Sequence, residues 1–231
     1  MSAELTKRKN NGTKSSKPSI AGTALSGHEH ELTQMIGQTK LHFQKFAKGK
    51  VIRQENDMCD QLMFLIDGEV DVITYADDRT YSVEERFGSP YTLQLEHFFG
   101  LTQRHTRTFV AHTPCHFVSI GKNDILKLTD DFIIMRLNLF NILATTAQKA
   151  QRMPWRHKAD GLRQQIVRFF EERCSRPTGA KTVRIKITQL AAELRESRLN
   201  VSQELNRMKA EGLLSFTRGI ISIPNLERLR G

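Results

Sequence analysis

Residues 188–219 read TQLAAELRESRLNVSQELNRMKAEGLLSFTRG and contain two short helical patterns in close succession. Thr188 is a good N-cap for a first helix that ends at Leu194, and a three-residue turn follows. Ser197 is a second N-cap, and the helix that it starts runs to about Glu211. Two short helices joined by a tight turn predict a helix-turn-helix.

A β-hairpin is expected directly after this motif. Gly212 stops the second helix, because glycine tolerates the left-handed backbone found at helix C-termini. Residues 214–223 then form two short β-type runs that turn at Arg218-Gly219. A helix-turn-helix followed by a basic-tipped wing is much more specific than a lone helix. It predicts a winged helix-turn-helix that binds double-stranded DNA.

The second helix has two distinct faces. Val201, Leu205 and Met208 recur at spacings of four and three, which predicts a core face. The opposite face carries polar side chains in the first two turns, where a recognition helix enters the major groove. Arg198 can pair with guanine and Gln203 with adenine, although each could instead be idle surface. The candidate DNA-binding residues are Thr188, Ser197, Arg198, Leu199, Ser202, Gln203 and Arg218.

Basic charge is concentrated in the same part of the chain. Residues 154–231 contain 16 Lys or Arg against 8 Asp or Glu, whereas residues 31–153 contain 14 against 15. Clustered cations are the electrostatic footprint of nucleic-acid binding, because neutralised phosphates release their counterions. A solvated basic surface would give the same count, so the motif carries the DNA prediction and the charge only supports it.

The first half of the chain is typical of short strands. Residues 61–75 form two β-type runs joined at Asp67-Gly68, which predicts a hairpin at that dipeptide. Further strands are expected near residues 81–86 and 108–120. A short helical pattern from Leu32 to Phe46 precedes them. Many short strands with polar turns favour a sandwich or a roll.

From residue 130 the hydrophobic period changes to that of a helix. Apolar residues spaced alternately four and three apart form a seam, which consists of Ile133, Leu137, Phe140, Ala144 and Ala147. Such a seam on a helix that follows a β domain predicts pairing with the same helix of a second copy. The alternative is an amphipathic helix packed on its own domain. Met153-Pro154 ends the seam.

Taken in order, these pieces resemble the Crp/Fnr (catabolite activator/fumarate-nitrate regulator) family of bacterial regulators from about residue 40 to residue 228. The motifs that carry the resemblance are IDGEVD at 66–71, FFG at 98–100, the long helix, and Leu190-Ala191, Ser197-Arg198, Val201-Ser202 and Gly212-Leu213-Leu214. The family implies a homodimer, RNA polymerase as a partner, and an effector that rotates the DNA-binding domains. It also implies that Arg198 reads guanine. Leu199 and Gln203 depart from the family's usual base-contacting residues, so its usual operator is not expected.

The resemblance completes the expected architecture, which is of the α+β class. The chain is expected to comprise a disordered basic tail (1–30), a cyclic-nucleotide-binding-type β-roll or double-stranded jelly roll (31–129), a dimerisation helix (130–153) and a winged helix-turn-helix domain (154–231). The function that this implies is sequence-specific regulation of transcription by a homodimer on a pseudo-palindromic operator.

The effector cassette departs from the family pattern. In cyclic-nucleotide-binding relatives, a glutamate accepts the ribose 2′-hydroxyl and an arginine grips the cyclic phosphate. Here Leu101 stands in place of the glutamate, and a shortened cassette ends at Arg107-Thr108-Phe109. Leucine cannot accept a hydrogen bond, which argues against cyclic AMP and leaves the small-molecule effector unknown. The candidate effector-binding residues are Arg104, Arg107 and Thr108, with ordinary solvated surface as the alternative.

Histidines and cysteines do not follow a metal-site pattern. The histidines at 97, 105, 112 and 116 cluster in sequence but would fall on different faces of a roll. The three cysteines are widely spaced and are interpreted as free thiols without the four-cysteine iron-sulfur pattern. No metal and no iron-sulfur cluster are expected, and the cofactor is unknown.

Two rival functions stay open at this point. One is a cupin-like metalloenzyme fused to a basic domain, which requires a ligand set that the sequence does not show. The other is a ligand-independent DNA-binding protein with a vestigial sensor. The leading interpretation is that the protein is not an enzyme. The absence of a secretory pattern and of a long apolar run predicts a cytoplasmic protein without a membrane partner.

Overall fold

A computed structural model describes residues 40–152, 155 and 159–230. The predicted tail at 1–30 and the Met153-Pro154 boundary lie outside these residues. The first half is a β-roll of eight strands: β1 His42–Phe46, β2 Val51–Arg53, β3 Gln61–Asp67, β4 Glu69–Tyr75, β5 Ser82–Gly88, β6 Tyr91–Thr92, β7 Thr108–Ala111 and β8 Cys115–Gly121. One antiparallel sheet has the order β1-β8-β3-β6, and the other contains β5-β4-β7-β2.

The core of the roll lies between its two sheets. Alternating residues of β3 and β4 point inward, so Leu65, Val70 and Val72 are almost wholly buried. Phe109 and Phe117 come from the strands β7 and β8 and join the same cluster. The alternation of apolar residues along each strand therefore marks the side chains that face the core.

The predicted hairpin at Asp67-Gly68 is wrong. β3 and β4 belong to different sheets, so Gly68 is a corner at which the chain crosses from one sheet to the other. Gly68 has φ +99°, and a Cβ there would lie 2.4 Å from the carbonyl oxygen of Pro114. Glycine is required by the close approach of another strand as well as by the turn.

The helical pattern predicted from Leu32 to Phe46 is wrong in its described part. His42–Phe46 forms β1, which pairs antiparallel with β8 at the edge of its sheet. The pairing satisfies the backbone polar groups of this segment across the sheet, and this long-range interaction outweighs a weak local period.

Three helices follow within and after the roll: α1 Leu95–Phe99, α2 Lys122–Asp131 and α3 Ile133–Arg152. The helix α3 carries the predicted seam, and its side chains face away from the chain's own core. Leu137 is 51% exposed and Phe140 is 59% exposed, whereas Leu139 is buried against the chain. The alternative of a seam packed on its own domain is therefore not supported.

The second half is a small domain around its own core. Its elements are α4 Leu162–Glu172, β9 Lys181–Arg184, α5 Ile187–Leu194, α6 Arg198–Ala210, β10 Ser215–Thr217, β11 Ile220–Ile223 and a 3₁₀ helix Leu226–Arg230. Ile166 and Phe170 of α4 pack with Leu190, Val201 and Leu205 of the helix-turn-helix. Together with the roll, this arrangement confirms the α+β class.

Among the described residues, no helix combines the length and the apolar character that a membrane crossing requires.

Candidate DNA interface and sensor cavity

The turn of the helix-turn-helix positions the start of α6. Arg195 adopts a left-handed backbone with φ 55°, which redirects the chain after α5. The Ser197 hydroxyl then accepts a hydrogen bond from the Asn200 amide at 3.1 Å. The predicted N-cap at Ser197 is confirmed, and it satisfies one of the free amides that every helix start exposes.

The predicted N-cap at Thr188 is wrong by two residues. The helix α5 begins at Ile187, and Lys186 is its N-cap residue without a side-chain cap. The carbonyl of Lys186 accepts the first helical hydrogen bond from the Leu190 amide at 2.9 Å. Thr188 therefore lies inside the first turn, where its side chain is exposed.

The end of α6 is fixed by glycine. Gly212 has φ +72°, its amide donates to the Lys209 carbonyl, and the Leu213 amide donates to the Met208 carbonyl. These two bonds form the Schellman arrangement, in which a left-handed residue terminates a helix. The predicted stop at Gly212 is confirmed.

The two predicted faces of α6 are observed. Val201, Leu205 and Met208 are fully buried and form the core face. On the other side Leu199 is 66% exposed. Arg198, Gln203 and Asn206 are also exposed, and Ser202 is half-buried with its carbonyl accepting from the Asn206 amide group.

The wing turns back toward the same surface. Arg218 and Gly219 both have positive φ, as a two-residue type I′ hairpin requires, and β10 pairs with β11 around them. The Gly219 carbonyl accepts a hydrogen bond from the Ile185 amide at 2.8 Å, which ties the wing to the start of α5.

A hollow of about 760 Å³ opens between the wing and the two helix starts. It brings together three predicted residues, Thr188, Arg198 and Arg218, with one that the sequence analysis missed, Lys186. A residue at the start of a helix often contacts phosphate. Because the sequence predicts Thr188 as the N-cap of α5, it does not indicate Lys186 as such a contact.

The cations around this hollow differ from others in the domain. Within the described part of the chain, Lys186, Arg198 and Arg218 form no ion pair. By contrast, Arg163 pairs with Glu211, Arg173 with Glu193 and Arg207 with Glu204. Unpaired cations on one concave surface produce a positive potential that suits a polyanion. The hollow, the exposed face of α6 and the wing are called the reading surface below.

The three predicted effector residues do not line one cavity. Arg104 donates to the Asn56 carbonyl at 2.6 Å, and the Thr108 hydroxyl accepts from the Glu55 amide at 3.2 Å. Arg107 lines a cavity of about 730 Å³, whose lining includes neither Arg104 nor Thr108. This cavity lies between the roll, α3 and the segment that follows α4, and it is called the sensor cavity below.

Inside the sensor cavity, Arg107 is already engaged. Its guanidinium donates to the Ser175 hydroxyl at 2.6 Å. The neighbouring Arg176 lies 4.4 Å from the ring centre of Phe87, which stacks on Tyr91. Burial raises the pKa of Tyr91 to about 12, so its hydroxyl stays protonated at neutral pH. Leu101, the residue in place of the family's glutamate, is fully exposed and does not line the cavity.

The four histidines at 97, 105, 112 and 116 have separate partners. His112 lies 2.8 Å from Asp71, His116 lies 3.2 Å from Asp67, and His97 contacts Thr102 and Thr106. Only His105 is buried: its Nδ1 lies 3.2 Å from the Gln94 side-chain oxygen, and its Nε2 has no hydrogen-bond partner. Burial lowers the pKa of His105 to about 4. In the described ranges, no three possible ligands form a metal-binding group.

Comparison with known families agrees with this geometry. Residues 43–132 match the cyclic nucleotide-binding domain, and residues 164–231 match the Crp-like helix-turn-helix domain. The chain belongs to the Crp/Fnr family of transcriptional regulators. In this Crp/Fnr protein the two matched segments contain the roll and the reading surface, and α3 lies between them.

Solved structures similar to this Crp/Fnr chain have low sequence identity. The catabolite activator protein of Thermus thermophilus is 16% identical, covers 90% of this chain and 96% of its own, and has a TM-score of 0.47. A Crp/Fnr-family regulator from Eubacterium rectale is 18% identical, with coverages of 87% and 93% and a TM-score of 0.49. The c-di-GMP-responsive regulator CLP of Xanthomonas campestris is 17% identical, with coverages of 84% and 97% and a TM-score of 0.46. A search of curated proteins found no match.

Proposed function

We propose that the protein regulates transcription as a homodimer that reads a pseudo-palindromic DNA site with α6. The observation that carries this proposal is the reading surface, on which an exposed helix face adjoins three cations that pair with no other described residue. The helix α6 enters the major groove with its N-terminal turns, and the wing lies over the adjacent backbone.

Each side chain of the reading surface has a distinct role in this proposal. Arg198 donates two hydrogen bonds to guanine, Gln203 pairs with adenine, and the exposed Leu199 contacts a thymine methyl. Ser202 lies on the same face of α6, one turn after Arg198, and is a further candidate contact to DNA. Thr188, Ser197 and Arg218 contact the phosphate backbone, which positions the helix without reading sequence.

The exposed seam of α3 supports the homodimer. Ile133, Leu137 and Phe140 are each more than half exposed in the single chain. Apolar side chains in a heptad-like row bury this area when two copies pair, and Ala144 and Ala147 allow close approach of the two helices. A twofold dimer presents two copies of α6, which accounts for a pseudo-palindromic site.

The remaining partners follow from the same proposal. RNA polymerase is the expected protein partner of a regulator bound beside a promoter. The effector is a small molecule other than cyclic AMP, and the sensor cavity with Arg107 is its proposed site.

A second candidate function is a DNA-binding protein that needs no ligand. It is favoured by one observation, the hydrogen bond from Arg107 to Ser175, because the arginine that would grip an anion is already satisfied by the chain itself. Neither function requires catalysis by the protein.

Selection from a library of randomised duplexes tests the main proposal. The full-length chain should enrich an inverted repeat with half-sites about 10 base pairs apart, centre to centre. A chain with both Arg198→Ala and Gln203→Ala is the matched control and should enrich no inverted repeat. Failure of the natural chain to enrich any sequence would overturn sequence-specific binding.

A further inference from the structure

The sheet of the DNA-binding domain is continuous with a sheet of the roll. β9 pairs antiparallel with β5, and the full order of the seven strands is β10-β11-β9-β5-β4-β7-β2. Four residue pairs form this junction, from Ser82 opposite Arg184 to Glu85 opposite Lys181. The described residues of the two domains accordingly fall in one compact unit. The domains are thus joined by backbone hydrogen bonds as well as by a covalent connection.

Glu85 lies at the centre of this junction and is 2% exposed. Its carboxylate accepts hydrogen bonds from the Ser175 amide at 2.7 Å, the Arg176 amide at 3.2 Å and the Lys181 ammonium at 2.8 Å. All three donors belong to the DNA-binding domain, whereas Glu85 belongs to the roll. Because a buried carboxylate is costly unless it is paired, these donors hold the two domains together in one orientation.

Neighbouring side chains extend the junction on both sides of Glu85. Val83 of β5 is buried in the core cluster of the DNA-binding domain. The Tyr81 hydroxyl accepts a hydrogen bond from Arg173 at 2.7 Å, and Arg107 donates to Ser175. A strand of the roll therefore completes the core of the domain that carries the reading surface.

The docked arrangement leaves the functional surfaces open. The outward face of α6, with Arg198 and Gln203, is exposed, and so is the seam of α3. Docking on β5 therefore blocks neither DNA binding nor pairing of two copies. It instead fixes the position of α6 relative to α3, which two half-sites at a set spacing require.

We propose that Glu85 clamps the DNA-binding domain onto the roll, and that this clamped arrangement is the form that binds DNA. Glu85 acts through Ser175, Arg176 and Lys181, so it is a positioning residue and touches no base. The proposal rests on the DNA-binding function proposed above.

Glu85→Ala tests the clamp, with Glu84→Ala as its matched control. Glu84 is the next residue of β5 and pairs with the exposed Arg184, a surface pair that contributes little. Affinity is measured by fluorescence anisotropy at fixed salt, on the duplex selected by the natural chain. Glu85→Ala should lower it by about tenfold, a typical coupling between sites, and Glu84→Ala should leave it within about twofold. Equal affinity of both variants and the natural chain would overturn the proposal.

A disulfide across the junction tests the clamp without weakening it, in case Glu85→Ala fails to fold. Glu84 and Thr182 are directly opposite, so Glu84→Cys with Thr182→Cys should oxidise to an intramolecular disulfide. Glu69→Cys with Thr182→Cys is the control pair. Glu69 lies one strand away, opposite Gly88, and should not cross-link. Both pairs carry Cys174→Ala and Cys115→Ala, which remove the native thiols beside the junction and beside Glu69.

The oxidised chain should bind the selected duplex with an affinity within about threefold of that of its reduced form. If the domains are already docked before DNA binds, the cross-link adds no ordering cost to binding. Failure of the cross-link to form would show that the domains are not docked in solution. A cross-linked chain that no longer binds DNA would show that the docked arrangement is not the binding form. Both results would overturn the clamp. If the natural chain selects no duplex, the proposed function fails, while the yield of the cross-link still reports on docking.

Discussion

The residues predicted for the reading surface lie together in the structure, whereas those predicted for the effector site do not. In the reading surface, Thr188, Arg198 and Arg218 line one hollow as a group. In the sensor region, Arg104 and Thr108 bond to the adjacent residues Asn56 and Glu55, whereas Arg107 bonds to Ser175 and lines the sensor cavity. The first site is built by local helix and turn geometry, whereas the second depends on contacts between distant segments.

The two sites also differ in whether their cations are available to a ligand. The cations of the reading surface form no ion pair with other described residues, so they are available to a polyanion. Arg107 is held by Ser175, which lies 68 residues away.

The largest effect is expected from substitutions that prevent two copies of α3 from pairing, so that two reading surfaces are no longer held together. Leu137→Glu with Phe140→Glu places like charges along the exposed seam of α3 and should yield monomers. Affinity for the selected duplex should fall by roughly a hundredfold, because two linked half-site contacts become one. Analytical ultracentrifugation with anisotropy measures both effects. Asn138→Glu, on the same helix outside the seam, is the control. A natural chain that sediments as a monomer at micromolar concentration would contradict the dimer.

The second expected effect concerns stability in the sensor region. Burial lowers the pKa of His105 from its ordinary 6.5 to about 4, so on acidification the unfolded chain binds a proton before the folded chain does. The free energy of unfolding should therefore fall by about 2 kcal/mol between pH 7 and pH 5 because of this residue.

Urea unfolding at the two pH values measures this loss, with His105→Gln as the comparison variant. Between the two pH values, the free energy of unfolding of the variant should fall by about 2 kcal/mol less than that of the natural chain, since glutamine does not titrate. An equal fall in both proteins would mean that other groups dominate the pH dependence.

A smaller effect is expected at the tip of the wing. Arg218→Ala should weaken binding of all duplexes by a similar factor, about threefold, and shallow the slope of log affinity against log salt by about 1. Titrations of selected and scrambled duplexes across a salt series provide the measurement. A loss confined to the selected duplex would instead show that Arg218 reads a base.

The smallest expected effect is the response to cyclic nucleotides. Leu101 is fully exposed and offers no acceptor to a ribose hydroxyl, and Arg107 is engaged by Ser175. Isothermal titration calorimetry with cyclic AMP or cyclic GMP should show no micromolar binding. Micromolar binding of either nucleotide, together with a gain in DNA affinity, would show that the sensor region does bind cyclic nucleotides and would contradict this prediction.

The sequence predicts most of the reading surface because its signals are local. Ser197, Gly212 and the wing turn act within a few residues of themselves, and the core face of α6 follows from its helical period. The N-cap of α5 was misplaced from Lys186 to Thr188, because a threonine is a stronger cap signal than the lysine that the fold uses.

Long-range pairing accounts for the failures. Gly68 looks like a hairpin turn from its neighbours alone, and only the position of Pro114 shows that it is a corner between sheets. His42–Phe46 becomes a strand because β8 lies beside it. Nothing in the order of residues around Glu85 indicates that its donors lie about 90 residues later in the chain. Such contacts follow from packing of the whole fold.

The most direct test of sequence reading by α6 is a repeat of the duplex selection with Arg198→Ala. The account predicts that the variant loses the guanine preference at one position in each half-site, keeps the remaining consensus, and binds the original duplex more weakly by about 1–3 kcal/mol. An Arg198→Ala chain that keeps the guanine preference, or that weakens equally on all sequences, would show that Arg198 contacts phosphate and would contradict the account.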